Sequence, residues 1–146
     1  MATLIEFASR MHNLSLQMER GVVSTVKNVA KGVLREVIKA TPVDTGRARS
    51  NWQVGLNSPP PGPIAPYSPG RHLGRGEAAN KNAATTIGTT IINAIAGDGT
   101  IYISNNVPYI NILNNPPQHS SQSPSNFVEI AAKKAVLGLR NVKVLP

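Results

Sequence analysis

Apolar residues recur along the first forty positions with the period of one helix face. From Leu4 they fall at Ala8, Met11, Leu14, Met18, Val22, Val26, Val29, Val33 and Val37, at steps of three or four. Gly21 and Gly32 each cost about 1 kcal/mol against alanine inside a helix, so the pattern reads as one short helix and one long one, with a break or bend near Gly21 or a continuous run as the two options. Pro42 lacks a backbone donor and restricts Thr41, which ends the helix near Ala40. Ser50, Trp52, Val54 and Leu56 then alternate with Asn51, Gln53 and Gly55, predicting a half-buried strand with Trp52 packed inward.

Regular structure stops after this strand. Residues 57–81, "NSPPPGPIAPYSPGRHLGRGEAANK", hold six of the twelve prolines and no periodic apolar face. Such a stretch is either a surface loop or an extended arm that orders against a neighbouring subunit; Tyr67, Arg71, His72 and Arg75 are its candidates for that contact. Residues 80–97 predict a helix, with Ala84, Ile87, Ile91 and Ile95 at helical spacing and Gly97 as its stop. "GTIYISNN" predicts a second strand with Ile101 and Ile103 on one face and Tyr102 on the other. A short helical or turn segment follows from Val107, Pro108 and Tyr109 to Leu113, then a second polar loop. Residues 125–140 predict a short amphipathic helix through Phe127, Ile130, Ala131, Lys134, Val136, Leu137 and Leu139, capped by Ser125 or Asn126. The sum is one α+β domain over residues 1–146: a long amino-terminal helix and two further helices on a small antiparallel or mixed sheet, with a long Pro/Gly-rich arm.

Composition narrows the chemistry. The 146 residues include no cysteine, which excludes disulfides, thiol nucleophiles and cysteine-bound zinc together. No apolar run is long enough to span a membrane, and no signal-peptide pattern is expected; both fit a protein made in a cytoplasm. His12, His72 and His119 stand far apart with no carboxylate at metal-ligand spacing, and neither a metal nor another cofactor is expected. Gly70, Gly74 and Gly76 lack the strand before them and the Lys-Ser/Thr after them that a phosphate-cradling loop requires. No Gly-x-Ser-x-Gly elbow occurs, and seven acidic residues make a paired-carboxylate site hard to build.

The formal charge of +8 asks for an anionic partner or a polarised surface. Lys27, Lys31, Arg35 and Lys39 repeat every fourth residue beside the apolar stripe, forming either a solvated helix face or a ridge that faces phosphates. The six aromatic residues are not interleaved with cations, so backbone contact with duplex DNA is expected in preference to base stacking.

One tripeptide invites an enzymatic reading. Asp44-Thr45-Gly46 is the triplet of aspartic proteases, but there it follows a buried apolar strand and works as a pair of carboxylates sharing a proton. Here a helix precedes it, Arg47 follows it, and the only other aspartate is Asp98. An adjacent guanidinium favours the ionised carboxylate and opposes the shared proton. A turn built by Pro42, Asp44, Thr45, Gly46 and Arg47 asks for less: Asp44 accepts backbone N–H groups and Gly46 takes positive φ. No enzymatic activity is expected.

The helix running into "TPVDTGRARSNWQV", the later helix, "IYISNNVPYINILNN" and the closing "QSPSNFVEIAAKKA" resemble the small tail-completion or neck proteins at the head-to-tail junction of tailed bacteriophages. The resemblance covers about residues 30–137 without the Pro-rich arm and rests on two blocks, P-V-D-T-G-R-x-R-x-x-W and N-x-V-P-Y-x-x-x-L-N. Where such proteins often carry a glycine soon after the Leu-Asn pair, this chain has Asn115, Pro116 and Pro117. The resemblance implies a structural virion protein of the neck or tail, assembled in the host bacterial cytoplasm. It would form a homo-oligomeric ring, a hexamer or alternatively a dodecamer, between connector or portal-adaptor and tail proteins, with duplex DNA passing through. Trp52, Pro108 and Tyr109 are expected to anchor the core, and Lys27, Lys31, Arg35 and Lys39 to face the DNA. Asp44→Ala is expected to impair folding or assembly through the lost turn, read as a lowered melting temperature or loss of oligomer; an unchanged, assembly-competent variant would sink this account of the corner.

Overall fold

The computed structural model describes residues 3–42, 47–68, 77–97, 99–115 and 126–138. Helix α1 (Leu4–Ala40) leads to the four-residue α2 (Arg47–Ser50), then β1 (Trp52–Leu56), α3 (Glu77–Asn93), β2 (Ile101–Asn105), α4 (Ile110–Asn114) and α5 (Phe127–Leu137). The class is α+β, and among the described residues the sheet is one antiparallel pair.

α1 is continuous across Gly21, the second of the two options the sequence allowed. Thr3 and Glu6 start it with a capping box: the Glu6 N–H donates to Thr3 Oγ1 at 3.2 Å, and the Thr3 N–H donates to Glu6 Oε2 at 2.8 Å. Its 37 residues give a rod of about 55 Å. Only its second half is buried, through Ala30, Gly32, Leu34, Val37 and Ile38. α5 crosses α1 at Gly32, where an added Cβ would meet Ala135 Cβ at 3.6 Å, an ordinary van der Waals contact that does not itself require glycine.

Around that half-helix the core gathers Trp52 and Val54 from β1, Ala84 and Ile92 from α3, and Ala131 from α5. The inward line of α3 is Asn80, Ala84, Gly88 and Ile92, at successive i+4 positions, whereas Ile87 lies on its exposed side. Of the expected apolar face, Ala84 and Ile95 are buried and Ile91 packs against the core, so of those four only Ile87 is misplaced; the innermost line also carries an asparagine and a glycine that periodicity does not mark. Gly88 belongs there because an added Cβ would collide with Leu34 Cδ2 and come within 3.0 Å of Val54 Cγ2. α5 buries Phe127, Ala131 and Ala135, while Ile130, Val136 and Leu137 are exposed; at the crossing near Gly32 its contact residue is the small Ala135. Glu36 and Lys134 bridge the two helices at their surface, 3.5 Å apart.

In the sheet, Trp52 pairs with Asn105, Val54 with Ile103 and Leu56 with Ile101, a register that sets the apolar residues of both strands on the helix side and Tyr102 on the other. β1 begins at Trp52; Ser50, expected in the strand, lies in α2.

The junction of helix and strand is fixed by polar groups. Thr41 Oγ1 donates to the Val37 carbonyl at 2.6 Å and accepts the Trp52 indole N–H at 2.7 Å, both in the interior. Arg49 reaches back to cover the open carbonyls of the α1 terminus, its Nε 3.1 Å from the Thr41 oxygen and one terminal nitrogen 3.3 Å from that of Lys39. Thr41→Val retains the shape but strands the buried indole N–H, and is expected to destabilise the fold by about 1–3 kcal/mol in denaturant titration; an unchanged midpoint would show that this bond does not hold the junction.

Candidate functional site

Four groups of residues were singled out by the sequence, and the fold treats them differently. In the corner, Pro42 is buried and Arg47 half-buried; Asp44, Thr45 and Gly46 lie outside the described residues. In the second block the buried anchor is Val107, 2% exposed, while Tyr109 is half-buried and Pro108 exposed. This corrects Pro108 as a core anchor. The reason is local: Asn105 Oδ1 accepts the Val107 N–H at 3.2 Å as the chain leaves β2, which turns Val107 inward and leaves Pro108 on the outer side of the turn.

The two blocks interlock. Asn105 Nδ2 donates to the Ala48 carbonyl at 2.7 Å, tying the end of β2 to α2, in addition to the pairing of Asn105 with Trp52 in the sheet. Asn114, the last residue of the second block, seats α5. Its Oδ1 accepts the Val128 N–H at 2.9 Å, and its Nδ2 donates to the Glu129 carboxylate at 3.0 and 3.2 Å. Asn126 makes no side-chain cap, because it adopts φ 60 in the left-handed region. The cap of α5 is thus supplied from a distant residue.

The Pro-rich segment has a rigid root. Asn51 brackets Ile64, accepting its N–H at 2.7 Å and donating to its carbonyl at 2.8 Å. Asn80, fully buried on α3, does the same for Ser68 at 2.7 and 2.9 Å, and accepts the Ser50 hydroxyl at 2.9 Å. Gln53 and Asn106 donate to the carbonyls of Gly62 and Pro60. Residues 57–68 are therefore held to the body by side chains. Tyr67, whose N–H donates to Ser50 Oγ at 3.2 Å, closes this rooted stretch, and burial raises its phenol above the ordinary value of 10.0. Arg71, His72 and Arg75 lie outside the described residues.

The line of four cations divides in two. Lys27 Nζ donates to the Asn93 carbonyl at 3.1 Å and Lys31 Nζ to Asn93 Oδ1 at 2.9 Å, so both sit at the carboxyl end of α3, where positive charge is favoured. Arg35 and Lys39 are exposed and, with Lys81, Asn82, Thr85 and Thr86 of α3, line a groove of 360 Å³. Glu36 also lines it. Lys81 was missed by the sequence reading because only packing of α3 along α1 brings it beside Lys39. Among the described residues, no three His, Asp or Glu side chains converge as a metal site would require, and no helix is long and apolar enough to cross a membrane.

No family model, curated protein or solved structure matches the chain.

Replacing Asn80 with Ala removes the bracket on Ser68 and the partner of the Ser50 hydroxyl. Limited proteolysis should then cut within residues 58–68 at least tenfold faster, with a stability loss of about 1–3 kcal/mol. Unchanged cleavage would mean that the root does not depend on this side chain.

Proposed function

We propose that the chain is a structural virion protein that forms a ring at the head-to-tail interface of a tailed bacteriophage, joining connector to tail around the DNA channel. The observation that supports this most is the use made of the residues in the two resemblance blocks. Trp52 and Asn105 pair in the sheet and tie it to the end of α1 and to α2, and Asn114 seats α5, so these residues fix the fold, as expected of a part whose function is its shape. The rooted residues 57–68 fit the same reading, since a Pro-rich stretch held at a fixed place on the body can serve as a contact for a neighbouring subunit. The role assigned is assembly, with no catalytic step and no cofactor.

The charge fits a channel that duplex DNA crosses. Six copies would carry a formal charge on the order of six times +8, enough to hold phosphate without reading bases. Lys27 and Lys31 are engaged within the subunit, so Arg35, Lys39 and Lys81 are the residues assigned to face phosphate. Their clustering also favours a second reading, a free protein that binds duplex DNA without sequence preference.

Electron microscopy of the purified protein, alone and co-expressed with its genomic neighbours, separates the two. Rings with an opening wide enough for duplex DNA are expected. Persistent monomers that never join a larger particle would overturn the neck reading. Salt-sensitive duplex binding by those monomers, lost in Arg35→Glu/Lys39→Glu/Lys81→Glu, would establish the second.

A further inference from the structure

The amino-terminal half of α1 carries an apolar seam that the rest of the chain does not cover. Every residue from 3 to 20 is exposed, including Leu4 at 82%, Phe7 at 58% and Met11 at 51%. Residues 4–20 project about 25 Å as a bare helix, although a lone helix of this length is marginal in water.

The hydrophobic period changes where the helix meets the body. Leu4, Phe7, Met11, Leu14 and Met18 follow strict alternating steps of three and four, the a/d seam of a heptad repeat. Beyond Met18 the next seam positions are Gly21 and Thr25, and the apolar residues shift to Val22, Val26, Val29, Val33 and Val37, mostly four apart. The second pattern belongs to the half that packs on its own subunit. The first has the 3.5-residue period that keeps a seam facing another helix over successive turns.

Charge identifies the occupant. Between residues 3 and 26, Glu6 and Glu19 offset Arg10 and Arg20, so the chain's whole formal charge of +8 lies elsewhere. This segment gives no purchase to nucleic acid or an anionic lipid surface, both of which require a cationic face. It is also the place where two otherwise strongly cationic copies meet without repulsion. At its base Met11, Leu14, Met18, Val22 and Gly97 line a groove of 570 Å³, which extends the apolar surface onto the body.

We propose that the Leu4, Phe7, Met11, Leu14 and Met18 seam is a self-association surface, covered by the same seam of a second copy in a short coiled coil. It deepens the ring reading, on which it rests for closure into a ring but not for the pairing itself. Five seam residues are few against the roughly 20–30 per side of a standard interface, so the pairing depends on concentration until other contacts join it.

Sedimentation velocity over a concentration series reads it directly. The wild-type chain is expected to shift to larger species as concentration rises; Met11→Asp/Leu14→Asp should abolish the shift, and Leu16→Asp, on the opposite side of the helix, should retain it. Wild-type protein that stays monomeric throughout, or association that survives the double substitution, overturns the proposal. The absence of cysteine supplies a second test without disturbing the seam's charge. Single cysteines at positions 7, 11, 14 and 18, mixed pairwise and oxidised, should cross-link well above a Ser9→Cys control; cross-linking no better than the control overturns it. Rings in which the seam does not cross-link would sink this inference and leave the virion reading standing. A cross-linking protein that never joins neighbouring components would do the reverse.

Discussion

The bond from the Trp52 indole to the Thr41 hydroxyl joins the two halves of the fold. Thr41 is the first residue past α1, and its hydroxyl already donates to the carbonyl of Val37 in the last helical turn. By also accepting the indole N–H it fixes where β1 begins relative to the helix end. The constraint is stringent because both groups are buried, where an unpaired indole N–H is costly and no water replaces the lost partner. Once Trp52 is set, the sheet register puts Asn105 opposite it, and Asn105 in turn secures α2 and directs Val107 inward.

The same economy recurs through the structure: buried or half-buried amides span segments that have no regular hydrogen bonding of their own. Asn51 and Asn80 satisfy backbone groups in a Pro-rich stretch that cannot form a ladder, and Asn114 supplies the cap that Asn126 does not. A two-stranded sheet is a poor organiser by itself. Here the helices supply the apolar contact and the asparagines supply the directional contact that turns a pile of helices into one arrangement.

These two kinds of contact differ in how far they can be read from sequence. The second half of α1, the alternation around Trp52 and Val54, and the strand at Ile101 and Ile103 follow apolar periodicity and were legible. Along α3 and just past its end the apolar spacing marked Ala84, Ile91 and Ile95 correctly and Ile87 wrongly, and it gave no sign of Asn80 and Gly88, residues whose fitness depends on Ser68 and Leu34, far away in the chain. The same reason hid Ala135 behind Ile130 in α5, and Lys81 behind the simpler line from Lys27 to Lys39. The T-x-x-E signature at Thr3 was available locally and marks the helix start. The pairing of Asn105 with Ala48 had no local signal, since an asparagine after a strand reads as an ordinary turn residue.

α1 joins both kinds of surface in one rod. Its second half is packed by both α5 and α3, and Gly88 lets α3 approach closely. The helix runs without interruption from this packed half into the first, whose residues are exposed, apolar seam included. Continuity across Gly21, where a break was the other option, is therefore the feature that turns an apolar stripe into a projecting one. Had the helix broken there, the amino-terminal segment could have folded back and covered its own seam. Because it does not, the cover must come from another molecule, and the neutral charge of this segment beside the cationic body makes a second copy the partner that fits.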